Sequence, residues 1–133
     1  MLVREIINHH PSVRGQSADA LMRCIEDCYS CAQVCGSCAD ACLAEPDGGD
    51  LVQCIRLNLD CSDICATTGA VASRRSGSNM AVLHQLISTC ADACRACEAE
   101  CGKHVDMHEH CRICADICKA CSASCSSALP LAH

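Results

Sequence analysis

Residues 24–42 read CIEDCYSCAQVCGSCADAC, with a cysteine at every third or fourth position. Residues three and four apart lie above one another on one face of an α-helix. The stretch therefore predicts a helix that carries a single line of thiols along one face. Cysteine takes the positions at which a helical bundle normally carries leucine and isoleucine, so the core itself is the candidate functional site.

The same spacing recurs along the rest of the chain. Eighteen of the 133 residues are cysteine, and every gap within a cluster is three, four or seven residues. Four lines of thiols on four helices can converge on one axis. The clusters are Cys24, Cys28, Cys31, Cys35, Cys38 and Cys42; Cys54, Cys61 and Cys65; Cys90, Cys94, Cys97 and Cys101; and Cys111, Cys114, Cys118, Cys121 and Cys125.

The breaks between clusters set the expected helices. Ser17 is the expected N-cap of the first long helix, and the segments EPDGG (45–49) and RRSGS (74–78) interrupt the pattern. Connections this short make successive helices antiparallel neighbours. We expect an all-α, antiparallel up-down-up-down four-helix bundle with a Cys-lined core, formed by residues 1–133 as a single domain. The expected helices are a short N-terminal one at about 2–10 and main helices at about 17–44, 50–73, 79–103 and 107–127.

The turns also predict a register. Facing residues of an antiparallel pair have numbers with a constant sum, here 92–93, 151–152 and 211–212 for successive pairs of main helices. These sums place all eighteen thiols in six layers along a tube roughly 27 Å long, at about 1.5 Å per residue. Two layers are expected to hold four thiols each: Cys38, Cys54, Cys97 and Cys114, and Cys31, Cys61, Cys90 and Cys121.

The two ends of this tube are expected to differ. One end is apolar, and its predicted plug consists of Leu21, Ala72, Met80, Leu83 and Ile87. The other end is polar and rich in metal ligands. The helical faces that carry the lines of thiols continue there as Glu45, Asp47, His104 and Met107 or His108, with His110 close by. The remaining histidines, His9, His10, His84 and His133, are interpreted as surface or packing residues.

Composition and charge exclude several classes of partner. The net charge of −6 and the pI near 5.5 argue against nucleic acid and against an anionic membrane. No apolar run approaches the roughly 18 residues of a membrane span, and the N-terminus lacks the apolar region of a signal peptide. We therefore expect a cytoplasmic protein, in a compartment where thiols stay reduced. A nucleophile–base pair and a phosphate loop are both missing from the sequence, so we expect no enzyme.

Several roles compete for the thiols. Disulfides are disfavoured because i, i+4 pairs bridge poorly and opposed helix axes lie about 8–10 Å apart. Cysteine as mere filler is disfavoured by its risk of oxidation. Structural zinc prefers closed tetrahedral sites, and iron–sulfur clusters generally lie in loops. A metallothionein-like buffer of zinc or cadmium and a thiolate-cluster electron-transfer protein remain the alternatives.

Monovalent copper fits the pattern best. Cu(I) is soft, prefers thiolate, and accepts two or three ligands without requiring a tetrahedron. Each Cu(I) replaces one thiol proton, so roughly one ion per thiol leaves the core near neutral and avoids a buried unpaired charge. The sequence therefore predicts on the order of eighteen Cu(I) ions per chain.

The four stripes, the dense Cys-x3-Cys and Cys-x2-Cys repeats and the lack of Trp and Phe together resemble the bacterial copper storage proteins. The resemblance covers about 17–128, and the absence of an export signal is similar to the cytosolic branch. It implies a four-helix bundle that stores Cu(I), a homotetramer, and a copper entrance at the polar end. The candidate ligands at that entrance are His104, Met107, His108 and His110.

Asn58 interrupts the second cysteine stripe between Cys54 and Cys61. A single polar residue in a bundle core often fixes the register of the helices. The amide oxygen could instead be a ligand to a metal ion at the edge of the column. The sequence is compatible with both roles of Asn58.

Overall fold

The computed structural model describes residues 2–46 and 48–132. Asp47, expected at the polar end, and His133, expected at the surface or in packing, lie outside the described residues. The α-helices are α1 (Val3–Asn8), α2 (Asp19–Ala44), α3 (Val52–Ser73), α4 (Met80–Gly102) and α5 (Glu109–Ala128). Short 3₁₀ turns cover Gly48–Leu51 and Leu129–Leu131.

The four long helices form the predicted antiparallel bundle. Helix α2 packs against α3 and α5, and α4 packs against the same two helices. Every helix begins and ends within two residues of its predicted bounds. The all-α four-helix fold is confirmed, because the cysteine spacing and the turn residues specify both the helical faces and the points of reversal. None of the described helices combines the length and the apolar character needed to cross a membrane.

The expected N-cap at Ser17 is wrong. The N-cap of α2 is Ala18, and the Ser17 hydroxyl instead donates to Asn8 Oδ1 at 3.2 Å. Ser17 thereby joins the end of α1 to the beginning of α2. Helix α1 is held further by Arg4, whose Nε lies 3.0 Å from Glu26 Oε1.

The predicted register between α3 and α4 is wrong by about one helical turn. The sulfurs that meet across these helices belong to residues whose numbers sum to 155, not 151–152. The pairs are Cys54 with Cys101 at 3.5 Å, Cys61 with Cys94 at 3.7 Å and Cys65 with Cys90 at 3.6 Å. A sum of 155 places the chain reversal near Gly77, which adopts a positive φ of 67°. The reversal thus lies later than the turn residues alone suggest.

The apolar end contains most of the predicted plug. Leu21, Ala72, Leu83 and Ile87 are buried, but Met80 is 52% exposed and is not part of the plug. Met80 is the first residue of α4, and helical side chains lean towards the N-terminus, so this side chain extends beyond the bundle. Four further buried residues, which the cysteine spacing does not predict, complete the plug: Ile7, Met22, Ile25 and Ala132.

Candidate metal centre

All eighteen cysteines lie in the core of the bundle as free thiols. Cys38 is 2% exposed and the other seventeen have no exposed surface. The four cysteine lines therefore converge on one axis, as their spacing predicts. Because the core is almost free of aromatic side chains, sulfur fills the space between the helices.

The sulfurs form a continuous column along the bundle. Cys24 and Cys125 meet at one end with their sulfurs 3.7 Å apart, and Cys54 and Cys101 meet towards the other end at 3.5 Å. In the middle, the sulfur of Cys31 lies within 4.0 Å of four others, those of Cys35, Cys61, Cys94 and Cys118. An ion bound anywhere along this column can contact sulfurs from more than one helix.

The thiols gather in groups of four whose sulfurs all lie within 4.8 Å of one another. Four such groups are Cys28/Cys90/Cys121/Cys125, Cys31/Cys65/Cys94/Cys121, Cys31/Cys35/Cys61/Cys118 and Cys35/Cys97/Cys114/Cys118. These groups differ from the predicted layers because α4 is shifted by about one helical turn relative to its predicted register against α3. Cys31 and Cys90, which were predicted to share a layer, therefore fall in different groups. Successive groups share members, and a shared sulfur can bridge two metal ions.

Asn58 lies inside the sulfur column and has no exposed surface. Its Oδ1 accepts hydrogen bonds from the thiols of Cys97 and Cys114, both at 3.0 Å. Its Nδ2 donates to the sulfur of Cys54 at 3.5 Å. The amide is therefore satisfied by thiols on three helices, which suits the register role, and its oxygen faces two candidate metal ligands.

His110 joins the thiols at the polar end. Its Nδ1 lies 3.4 Å from the sulfur of Cys38 and 3.6 Å from the sulfur of Cys111. Its Nε2 lies 3.0 Å from Glu45 Oε1. The sulfurs of Cys38, Cys42 and Cys111 and one ring nitrogen of His110 form a further group, in which all four atoms lie within 4.8 Å of one another.

The other predicted entrance residues take different positions at the polar end. The ring of His108 is buried and stacks on His110, with centroids 5.3 Å apart. His104 Nε2 lies 3.2 Å from Glu100 Oε2. Met107 lies at the surface with 69% of its area exposed.

Two carboxylates organise the polar end, and the sequence did not assign them that role. Glu45 Oε1 pairs with both His108 Nδ1, at 3.3 Å, and His110 Nε2. Glu100 pairs with His104 one helical turn away. The i, i+4 spacing of Glu100 and His104 was a usable signal. Glu45 contacts residues 63 and 65 positions away in the sequence, so no local spacing could reveal these pairs.

Burial and hydrogen bonding set the charge state of the thiols. Burial raises the pKa of Cys42 to about 11 and that of Cys111 to about 12, because thiolate is disfavoured away from water. Within the column, a thiol that donates to its neighbour stabilises the neighbour's thiolate. The hydrogen bond from Cys101 in this way lowers the pKa of Cys54. A bound cation that replaces the thiol protons removes the penalty of burial altogether.

Comparison with protein families gives a match over most of the chain. The model of the family described as copper storage protein matches residues 17–130. The matched segment begins just before α2 and ends after α5, so it contains every cysteine of the column.

Solved structures with the same bundle include proteins loaded with copper. A structure of the copper storage protein Ccsp from Streptomyces lividans, loaded with 10 copper equivalents, is 44% identical, with a TM-score of 0.91, 96% of this chain covered and 98% of that one. A cytosolic copper storage protein from Streptomyces lividans with five coppers is 48% identical, with a TM-score of 0.82, covering 84% and 93%. Cu(I)-bound BsCsp3 is 38% identical, with a TM-score of 0.72, covering 82% and 97%.

Proposed function

The chain belongs to the copper storage protein family, and we propose that it stores many Cu(I) ions on the thiolates of its core. The observation that carries this function is the continuous column of eighteen buried thiols, with neighbouring sulfurs on different helices 3.5–4.0 Å apart. That spacing lets one small ion contact two or three sulfurs at once. The column extends along α2 from Cys24 to Cys42, so the protein binds a series of ions.

Charge balance favours Cu(I) as the cargo. A monovalent ion that displaces one proton from each thiol leaves the buried column neutral. A divalent ion held by four thiolates leaves two negative charges in the core, which is costly where no water reaches. Soft thiolate ligands also select Cu(I) over harder metals. About one copper per cysteine is therefore the expected capacity.

The proposed ligands are the eighteen cysteines, with further residues at the polar end. His110 faces the thiols directly, His108 stacks on it, and His104 pairs with Glu100 at the end of α4, so these histidines fit the entrance role. Asn58 Oδ1 is placed to contact an ion held by Cys97 and Cys114. Met107 is exposed, which suits capture of ions arriving from solvent.

The proposed setting is the cytoplasm, where the thiols stay reduced and able to bind copper. Support comes from the Streptomyces lividans relative, which is a cytosolic protein. We propose storage without catalytic turnover, by residues 1–133 acting as a single domain, since four helices contribute to the same column. Exposed apolar residues at the N-terminus, such as Leu2 and Ile6, support a homo-oligomer, proposed as a tetramer on the family resemblance.

An anaerobic titration of the reduced protein with Cu(I), against a strong chromogenic chelator, tests this function. We expect about 15–20 tightly held ions per chain and about one proton released per thiol metallated. Zinc(II) at an equal concentration should leave that capacity nearly unchanged. A plateau near four ions, or a preference for zinc(II) over Cu(I), is incompatible with copper storage.

A further inference from the structure

We propose that the polar end of the bundle holds one divalent ion of the zinc type, on Cys38, Cys42, His110 and Cys111, when copper is absent. This site goes beyond Cu(I) storage because the ion differs in charge and in coordination geometry. Zinc(II) is held by four ligands in a closed tetrahedron, and three thiolates with one imidazole are among its usual sets.

The distances at the polar end fit that tetrahedron. Zn–S bonds of about 2.3 Å and a Zn–N bond of about 2.0–2.1 Å place sulfur and nitrogen about 3.5 Å apart. The two measured separations from His110 Nδ1, 3.4 Å to Cys38 and 3.6 Å to Cys111, lie close to this value. All four ligand atoms lie within 4.8 Å of one another, so small side-chain shifts close the site.

Glu45 supplies the outer partner that such a site requires. A carboxylate only accepts hydrogen bonds, so the His110 Nε2 at 3.0 Å carries the proton. In the neutral ring, Nδ1 then presents its lone pair to Cys38 and Cys111. Metal-binding histidines characteristically donate their second nitrogen to a carboxylate in this manner. The imidazole is thus oriented as a ligand before any ion arrives.

Net charge selects this group over the groups of four thiols. Three thiolates and a neutral imidazole around a dication leave one negative charge, whereas four thiolates leave two. The His110 side chain is 26% exposed, so water reaches this end, while the group that includes Cys28 and Cys90 is fully buried. An uncompensated charge costs more in the buried group. The first divalent ion therefore binds at the polar end.

Binding is a proton exchange without oxidation or reduction. The dication forms three bonds to sulfur as the S–H bonds of Cys38, Cys42 and Cys111 break, and three protons pass to solvent. His110 Nδ1 donates its lone pair and releases no proton. Cu(I) recovers these thiols during storage, since soft thiolate favours it over zinc(II).

Anaerobic titration of the copper-free full chain with cobalt(II), then with zinc(II), tests the site. Cobalt(II) reports its geometry through visible absorption. We expect one tight equivalent with tetrahedral, thiolate-rich bands and three protons released. Glu45→Gln should weaken binding about 10–100-fold, as loss of an outer partner does. His110→Ala should abolish this spectrum, and the matched control His9→Ala, an exposed histidine at the end of α1, should preserve it.

Either of two results overturns the site. The first is that no cobalt(II) ion binds tightly. The second is that one cobalt(II) ion still binds tightly to the His110→Ala variant but not to the Cys90→Ser variant. Far-ultraviolet circular dichroism checks that each variant is folded, and Glu45→Gln decides the question if His110→Ala does not fold. Copper capacity is measured on the same samples. A chain that stores copper but binds no cobalt(II) contradicts this site alone, whereas loss of copper capacity contradicts the storage function.

Discussion

Cys31 shows how a single residue contributes to the column. Its sulfur lies 3.6 Å from Cys35 on the same helix and 3.8 Å from Cys118 on α5. It belongs to two of the groups of four thiols. A sulfur in this position can bridge neighbouring ions, so its removal affects more than one binding position.

Replacing Cys31 and Cys118 together with alanine should lower Cu(I) capacity by more than two ions per chain. Both sulfurs are shared between groups, and each loss removes a bridge as well as a ligand. Leu21→Ala is the control, because it deletes buried volume in the plug but no thiol. Capacity is read from the copper titration. A double variant with wild-type capacity contradicts the bridging arrangement.

Ile87 tests the plug separately from the column. It is fully buried and precedes Cys90 by three residues in α4, so Ile87→Ala should lower the free energy of unfolding of the copper-free protein by about 2–5 kcal/mol. Copper capacity should stay unchanged within about one ion. Val82→Ala on the exposed side of α4 is the control, with an expected change below about 0.5 kcal/mol. Equal effects of the two variants in denaturant unfolding would count against the plug.

At the scale of helices, the bundle gives the column one polar and one apolar end. The plug closes one end, where His84 Nε2 contacts the Ala132 carbonyl oxygen at 2.7 Å and holds the C-terminal segment. The other end presents His104, His108 and His110 between α2, α4 and α5. Ions should therefore enter and leave at the histidine end and pass inward between thiols.

Replacing His104 and His110 together with alanine should slow both copper loading from a chelator and copper release to it. Capacity should fall by at most a few ions, since every thiol remains. His9→Ala, at an exposed histidine that ends α1, is the control and should load at the wild-type rate. Stopped-flow absorbance measures these rates. Unchanged rates in the double variant, with faster rates in Leu83→Ser, would place the entrance at the opposite end.

The helices and the buried thiols could be predicted because both follow from short-range spacing. A run such as 24–42 fixes one helical face without any knowledge of its neighbours. The register of α3 against α4 was missed because it depends on where the chain reverses near Gly77. Residue spacing does not report that backbone geometry.

The sequence predicts which residues lie at the polar end but not which of their side chains form ion pairs or hydrogen bonds with one another. Glu45 meets His108 and His110 only because α2 and α5 pack side by side. The prediction for Met80 is wrong for a different reason, because the regular spacing of a helix face continues beyond the point where the bundle ends. Long-range contacts and helix ends are thus the features that spacing alone leaves open.

For the whole molecule, the same thiols act as core and as binding site. Cysteine packs as a small apolar residue, so the reduced, copper-free bundle should already be folded. Burial of the thiols nevertheless makes its stability depend on pH. Copper binding removes the thiol protons and should stabilise the fold by mass action.

The copper-free protein should lose stability as the pH rises from about 9 towards about 12. Burial raises the pKa of Cys42 to about 11 and of Cys111 to about 12, above the usual value near 9. Above pH 9 the unfolded thiols ionise while these buried ones keep their protons, so the unfolded state becomes favoured. Thermal unfolding across this range should show a falling midpoint. The copper-loaded protein, with no thiol proton to lose, should show little change.

Anomalous X-ray diffraction at the copper edge, on crystals of the fully loaded protein, tests the storage account most directly. We expect a line of about 15 or more copper peaks along the bundle axis, between the levels of Cys24 and Cys42, with sulfur as the main ligand. A few isolated peaks on the surface histidines, with the sulfur column empty of copper, would contradict it.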